Sequence, residues 1–339
     1  MRHITLMTTS VVFFSILGLA VSAPASPSPR AETKNAKAEI PAKTTDDWLV
    51  VEDTTFIPAI DDLSRKMVDA RRTFLKKDNK TAAEDIRQSA AMLSRELSDA
   101  SVASQERIRA AANELDKLAT ELDTNKISSV KQIDAVLVQA HDADIQQRWA
   151  VADQTIWYPY VEEPDQHFRN AHDAFLSRNL KKTAEEIRKG EAFVKMEEVR
   201  ASGDAKRSLD TSTQELAQLA GEVSKGEVKD VKSLDQAFAR ADYALALSHR
   251  AKASEGWAKK DATKTGYELR AAADFLEQGA SRAGGDAESG VSVGVKDTRE
   301  LSGKLIHGVS VATDDVGKVM ETIGQEIGML GKNVMYSKP

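Results

Sequence analysis

Apolar residues along most of this chain recur every three or four positions. Ile127, Val130, Ile133, Leu137, Ala140, Ile145, Trp149 and Ala152 form one such stripe, which is the spacing of a single helix face. No segment sustains the two-residue alternation of a half-buried strand, so the pattern predicts helices throughout.

The stripes belong to a longer pattern. Phe56-Ile57-Pro58, Phe74-Leu75 and Glu84-Asp85-Ile86-Arg87 match Trp157-Tyr158-Pro159, Phe175-Leu176 and Glu185-Glu186-Ile187-Arg188 at a constant offset of 101 residues. The offset persists through Glu114-Leu115 onto Glu215-Leu216 and Asp134 onto Asp235. A third, shortened match begins inside the second: Trp257, Asp261, Glu268-Leu269-Arg270 and Phe275 fall on Phe175, Asn179, Glu186-Ile187-Arg188 and Phe193 at an offset of 82. Between the first two copies, Pro159 and Pro164 predict a break before a new helix starts. Between the second and third, residues 228–260 contain no proline, so one long helix is expected to end one copy and begin the next.

Each copy reads as a helical hairpin. Its turn is marked by Lys77-Asp78, Arg178-Asn179 and Lys260-Asp261. The cation suits the negative end of one helix, and the Asp or Asn suits the N-cap of the next. Phe74, Phe175 and Trp257 are expected to plug the hairpin ends beside Ala70, Ala171 and Ala253. Arg87, Arg188 and Arg270 are either solvated, paired with Asp85, Glu186 or Glu268 nearby, or paired across the bundle with Asp134 and Asp235.

The C-terminal segment carries a different seam. Val309, Val316, Ile323 and Leu330 repeat every seven residues, with Met320, Ile327 and Val334 between them. Ser310, Gly317, Gly324 and Gly331 run alongside. Glycine costs a helix about 1 kcal/mol against alanine, so a row of it implies close approach by a neighbour. That neighbour is another helix of the bundle, a second copy of the chain or a protein partner.

Composition narrows the function classes. The first residues, Met1-Arg2-His3, lead into an apolar stretch from Val11 to Val21 and small residues at Ala23 and Ala25. This is the form of a secretory signal peptide cleaved after Ala25, too short for a span of about 20 residues. Residues 26–45 have too few large aliphatics to offset their ordering entropy and read as a disordered leader. The chain has no cysteine, which excludes disulfides, thiolate metal sites, thiol catalysis and a lipid anchor on cysteine. An exported chain without disulfides points to a bacterial periplasm or cell exterior. Lys and Arg number 47 against 53 Asp and Glu, intermixed, for a net charge of -6, so no basic face is offered to nucleic acid.

Catalytic motifs are sparse. Gly290-Val291-Ser292-Val293-Gly294 matches G-x-S-x-G, but it follows an alanine-rich helix rather than a strand. His141, His167, His172 and His249 are the candidates for a metal or haem site assembled from separate helices, and His249 is the strongest candidate for a buried polar role.

Ala70-Arg71-Arg72-Thr73-Phe74-Leu75-Lys76-Lys77-Asp78 with Ala82-Ala83-Glu84-Asp85-Ile86 resembles the hairpins of the YfdX family of exported bacterial helical proteins. The resemblance covers about 30 residues of each copy. It implies a periplasmic all-helical protein tied to envelope or stress physiology and carries no catalytic site.

The expectation is therefore an all-α, elongated antiparallel bundle of tandem hairpins. Its parts are a signal peptide (1–25), a leader (26–45), two full copies (46–156 and 157–256), a partial third hairpin (257–285), and a glycine-rich linker with the heptad helix (286–339). Its expected role is that of an exported, non-enzymatic scaffold or interaction protein without cofactor, binding a protein partner or itself through the terminal helix. A metal- or haem-binding bundle and a chaperone-like periplasmic stress protein are the alternatives.

Overall fold

The computed structural model describes residues 48–51, 54–98, 100, 102–148, 154–284 and 291–336. The expected signal peptide, the leader, and Trp149 and Ala152 of the first stripe lie outside the described residues. Among the described residues the protein is an all-α helical bundle with one small sheet.

Strands β1 (Trp48–Val51) and β2 (Thr55–Pro58) pair antiparallel, Leu49 opposite Ile57 and Val50 opposite Phe56. Four helices follow: α1 (Asp62–Leu75), α2 (Asn79–Arg95), α3 (Val102–Asp123) and α4 (Val130–Arg148), with a short 3-10 turn at Glu96–Ser98. Then come α5 (Gln154–Leu176), α6 (Leu180–Arg200), α7 (Gly203–Ser224), α8 (Val231–Ala258) and α9 (Ala262–Ala283). The helices α10 (Ser292–Ile306) and α11 (Thr313–Tyr336) complete the bundle.

The first core joins β1, β2 and α1 to α4 through Leu63, Met67, Ile86, Ile108, Leu115, Leu122, Ile133 and Leu137. A second core joins α5 to α11 through Phe168, Ile187, Leu216, Phe238, Phe275, Ile323 and Leu330. Between them Trp48 and Phe56 of the sheet pack on Phe193 and Met196 of α6. Burying a large side chain stabilises by about 1.5–3 kcal/mol each, so helix stability comes from these seams rather than from propensity.

The hairpin turns share one geometry. Lys77, Arg178 and Lys260 sit at φ 64°, 59° and 61°. The next residue donates its N–H to the carbonyl five positions back, Asp78 to Thr73, Asn179 to Ala174 and Asp261 to Gly256, at 3.2, 2.9 and 3.0 Å. That is a Schellman stop. The same three residues then cap the following helix, accepting from the N–H of Thr81, Lys182 and Lys264 at 3.1, 3.1 and 3.0 Å. One residue therefore closes one helix and opens the next. Ala70, Ala171 and Ala253 are fully buried there, and Phe74, Phe175 and Trp257 lie half-buried against the cores.

Helix limits recur at the sequence offsets. Leu75 and Leu176, Val102 and Gly203, Asp123 and Ser224, and Val130 and Val231 end or begin helices 101 residues apart. Leu176 and Ala258, Leu180 and Ala262, Ser224 and Ile306, and Val231 and Thr313 do so 82 apart. A second set of left-handed turns follows, Asn125, Gly226 and Gly308, at φ 54°, 72° and 70°. Helix limits 82 residues apart are thus found beyond Phe275 as far as Thr313, and the segment expected as a linker plus a separate helix holds α10 and α11. Helix α8 is the long helix expected between the second and third hairpins.

Three expectations fail locally. Phe56-Ile57-Pro58 forms β2 because β1 lies beside it and Pro58 falls at the strand end, whereas Trp157-Tyr158-Pro159 lies inside α5. The break expected at Pro159 and Pro164 is absent: α5 runs through both. Each proline forfeits a helical hydrogen bond, and the contacts of Asp165, His167 and Phe168 beyond them hold the helix on course. Finally, Val309 and Ser310 precede α11, and Val309 is 51% exposed. The buried seam is Val316, Ile323, Ile327, Leu330 and Val334.

The glycine row divides in two. A Cβ on Gly324 would lie 2.6 Å from the Arg250 guanidinium and one on Gly331 2.6 Å from the Tyr243 ring, while Gly317 has nothing within 4 Å. Helix α11 is packed on α8 of the same chain, with Arg250 Nε donating to the Met320 carbonyl at 3.1 Å. No described helix is long and apolar enough to cross a membrane.

Candidate binding cleft and buried charge pairs

Asp165, Phe168, Arg169, His172 and Asp173 follow one another at spacings of three, one, three and one on α5, so a single face carries all five. That face forms one wall of a cleft of about 770 Å³. The other walls come from Asp235 and Phe238 of α8, Glu277, Gln278, Ser281 and Arg282 of α9, and Val291 and Val295 at the start of α10.

Arg282 sets the floor. Its guanidinium bonds both Asp165 and Asp242 and lies 5.4 Å from the centroid of Phe168. Phe168 stacks on Phe238 at 4.4 Å and 12°. It fits because residue 190 is glycine: a Cβ there would come within 2.5 Å of the ring. Asp242 is fully buried, and burial pushes its carboxyl up to about 6 against the pull of Arg282. At the mouth, Arg169 pairs with Asp165. His172 lies 3.7 Å from Asp173 and 3.8 Å from Asp235, and burial raises the Asp235 carboxyl above its ordinary range. Glu277 is held by Arg299 at 2.6 Å. Gln278 Oε1 is buried without a hydrogen-bond partner.

The other expected histidines lie in separate places. His167 Nδ1 is 2.8 Å from Glu186 Oε2, and its ring stacks on Phe193 at 5.8 Å with the edge of Trp48 at 5.4 Å. Burial would raise the Glu186 carboxyl, but His167, Lys189 and Asn170 outweigh it and hold it at about 2. His249 Nδ1 is likewise 2.8 Å from Glu268 Oε2, with Phe275 stacked at 5.4 Å. Its Nε2 faces Glu197 at 4.0 Å. Glu197 also takes Ser248 Oγ at 2.7 Å, Arg200 at 3.1 Å, and Lys252. Against its burial, Lys252 first, then His249 and Arg200, keep that carboxyl far below the ordinary range. His141 is buried on α4, and desolvation lowers it to about 4. Among the described residues no three His, Cys, Asp or Glu side chains group as a metal ion requires.

In the first hairpin Lys66 and Asp85 stand where the second has His167 and Glu186, joined at 3.0 Å. Arg87 pairs with Asp123, and Arg188 donates to Ser224 Oγ at 3.4 Å. The partner of Asp134 is Arg71, at 2.6 Å. Ser292 opens α10; Gly294 of the G-x-S-x-G segment donates its N–H to Glu326 at 2.9 Å. Glu326 thereby supplies from α11 the cap that Val291 cannot.

Sequence reasoning missed the cleft. The mixed-charge stripe from Asp165 to Asp173 is its signal in the sequence, and the 82-residue offset that places His167 on His249 and Glu186 on Glu268 is the signal of the buried pairs. Nothing local marks Arg282 or Gln278. No family model, curated protein or solved structure matches the chain.

Proposed function

We propose that this chain is an exported, non-enzymatic binding protein of the bacterial envelope, built by tandem copying of a helical hairpin, whose binding surface is the cleft between α5, α8, α9 and α10. The observation that carries the reading is that cleft: about 770 Å³, within the usual size of small-molecule sites. Its side chains are held by ion pairs on a packed aromatic floor. The export signal, the recurring helix limits and the YfdX-like hairpins support the location and the origin by copying. The glycine row of α11 is the weaker candidate surface, because Gly324 and Gly331 already receive Arg250 and Tyr243.

Native mass spectrometry of the protein after incubation with an envelope extract tests the reading. The wild type should retain a small molecule that Ser281→Trp, which fills the cleft from an exposed helix position, does not. Equal retention by both proteins, or retention by neither, would end the proposal.

A further inference from the structure

We infer that the cleft takes a small organic cation, an amine carried on a short apolar chain. This rests on reading the cleft as the binding surface and goes further by naming its ligand class. Carboxylates outnumber guanidiniums on its walls: Asp165, Asp173, Asp235 and Glu277 against Arg169 and Arg282. Both arginines are spent, on Asp165 and Asp242, and Arg299 neutralises Glu277.

Two carboxylates remain. Among the ion pairs of the described residues, Asp173 and Asp235 meet only His172, at 3.7 and 3.8 Å, beyond hydrogen-bond length. Burial raises the Asp235 carboxyl against the pull of His172 and Arg282. Gln278 Oε1 adds a buried acceptor with no donor, a deficit that a ligand N–H relieves. An ammonium group supplies what these groups lack, three donors and a positive charge. Val291 and Val295, 4% and 2% exposed, offer its carbon chain an apolar wall. A carboxylate or phosphate ligand meets the opposite situation, since neither guanidinium is free for it.

Isothermal titration calorimetry of the purified protein with 1,5-diaminopentane and with glutarate, equal in chain length and opposite in charge, tests the inference. The diamine should bind one-to-one and glutarate should give no heat. Asp235→Asn and Gln278→Leu should each weaken the diamine about tenfold or more, the weight of one charge-assisted hydrogen bond. Circular dichroism confirms that each variant is folded, and the two substitutions sit on different helices, so one misfolded variant leaves the other to decide. Glutarate binding that tightens in Asp235→Asn overturns the cation and leaves the cleft as a site. Absence of diamine binding, or binding indifferent to both substitutions, also overturns the cation, and the extract experiment then decides the cleft separately.

Discussion

His249 Nδ1 stands 2.8 Å from Glu268 Oε2, and 82 residues earlier His167 Nδ1 stands 2.8 Å from Glu186 Oε2. Both imidazoles lie flat on a phenylalanine, Phe275 and Phe193. Lys66 and Asp85 fill the same places in the first hairpin. The two helices of each hairpin are therefore tied by one acid and one base at a fixed height. Such a tie contributes to stability only while the acid is ionised, which makes it visible in pH dependence.

For Glu186 the folded carboxyl lies at about 2 against an ordinary 4.5. A depressed carboxyl stabilises above its unfolded pKa and loses that contribution as pH falls through the folded one. Glu186→Gln should cost on the order of 3 kcal/mol at pH 7 and flatten the stability curve between pH 4.5 and 2. Urea melts across that range check it; a variant curve parallel to the wild type would refute the tie.

His141 acts at higher pH. Its folded value of about 4 lies below the ordinary 6.5, so on acidification the unfolded chain takes the proton first and stability falls from pH 6.5 towards 4. The ring is 4% exposed and its Nδ1 has no partner. His141→Leu should remove this slope with little loss at pH 7. Unfolding free energies at pH 7 and 5 that differ as much in the variant as in the wild type would exclude it.

Two glycine-to-alanine changes should act in opposite directions. At Gly317 a Cβ meets nothing within 4 Å, so alanine should stabilise by about 0.5–1 kcal/mol. At Gly190 it meets the Phe168 ring at 2.5 Å, and Phe238 and Arg282 hold that ring in place. Overpacking there costs about 1–3 kcal/mol, more than the helix gains. Melting temperatures should therefore rise for Gly317→Ala and fall for Gly190→Ala.

Gly324→Leu would press on Arg250, whose guanidinium bonds the Met320 carbonyl. The substitution should lower the melting temperature by displacing α11 from α8 without altering the size of the protein on a column. A changed size with unchanged stability would show that the glycine row serves assembly instead.

The turn caps offer a uniform test. Asp78→Ala, Asn179→Ala and Asp261→Ala each remove an acceptor at 3.0–3.1 Å from the next helix and should cost about 1 kcal/mol apiece. Arg178→Gly should recover a similar amount, because a side chain at φ 59° carries a strain of about 1 kcal/mol that glycine lacks. Losses differing several-fold among the three caps would show that the turns are not equivalent.

The helices, the hairpin turns at Asp78, Asn179 and Asp261, and the long helix α8 were legible in the order of residues. Each depends on partners within about five positions: an apolar stripe at three and four, a cap acceptor, a Schellman bond. The sheet at Trp48–Pro58, the passage of α5 through Pro164 and the pairing of Arg71 with Asp134 were not. Arg71 and Asp134 are 63 residues apart, and Arg282 and Asp165 are 117 apart. Which guanidinium reaches which carboxylate depends on how helices lie across one another, and every amphipathic stripe permits several such arrangements. The cleft is decided at that level, because its charge excess is what remains after the distant arginines have taken their partners.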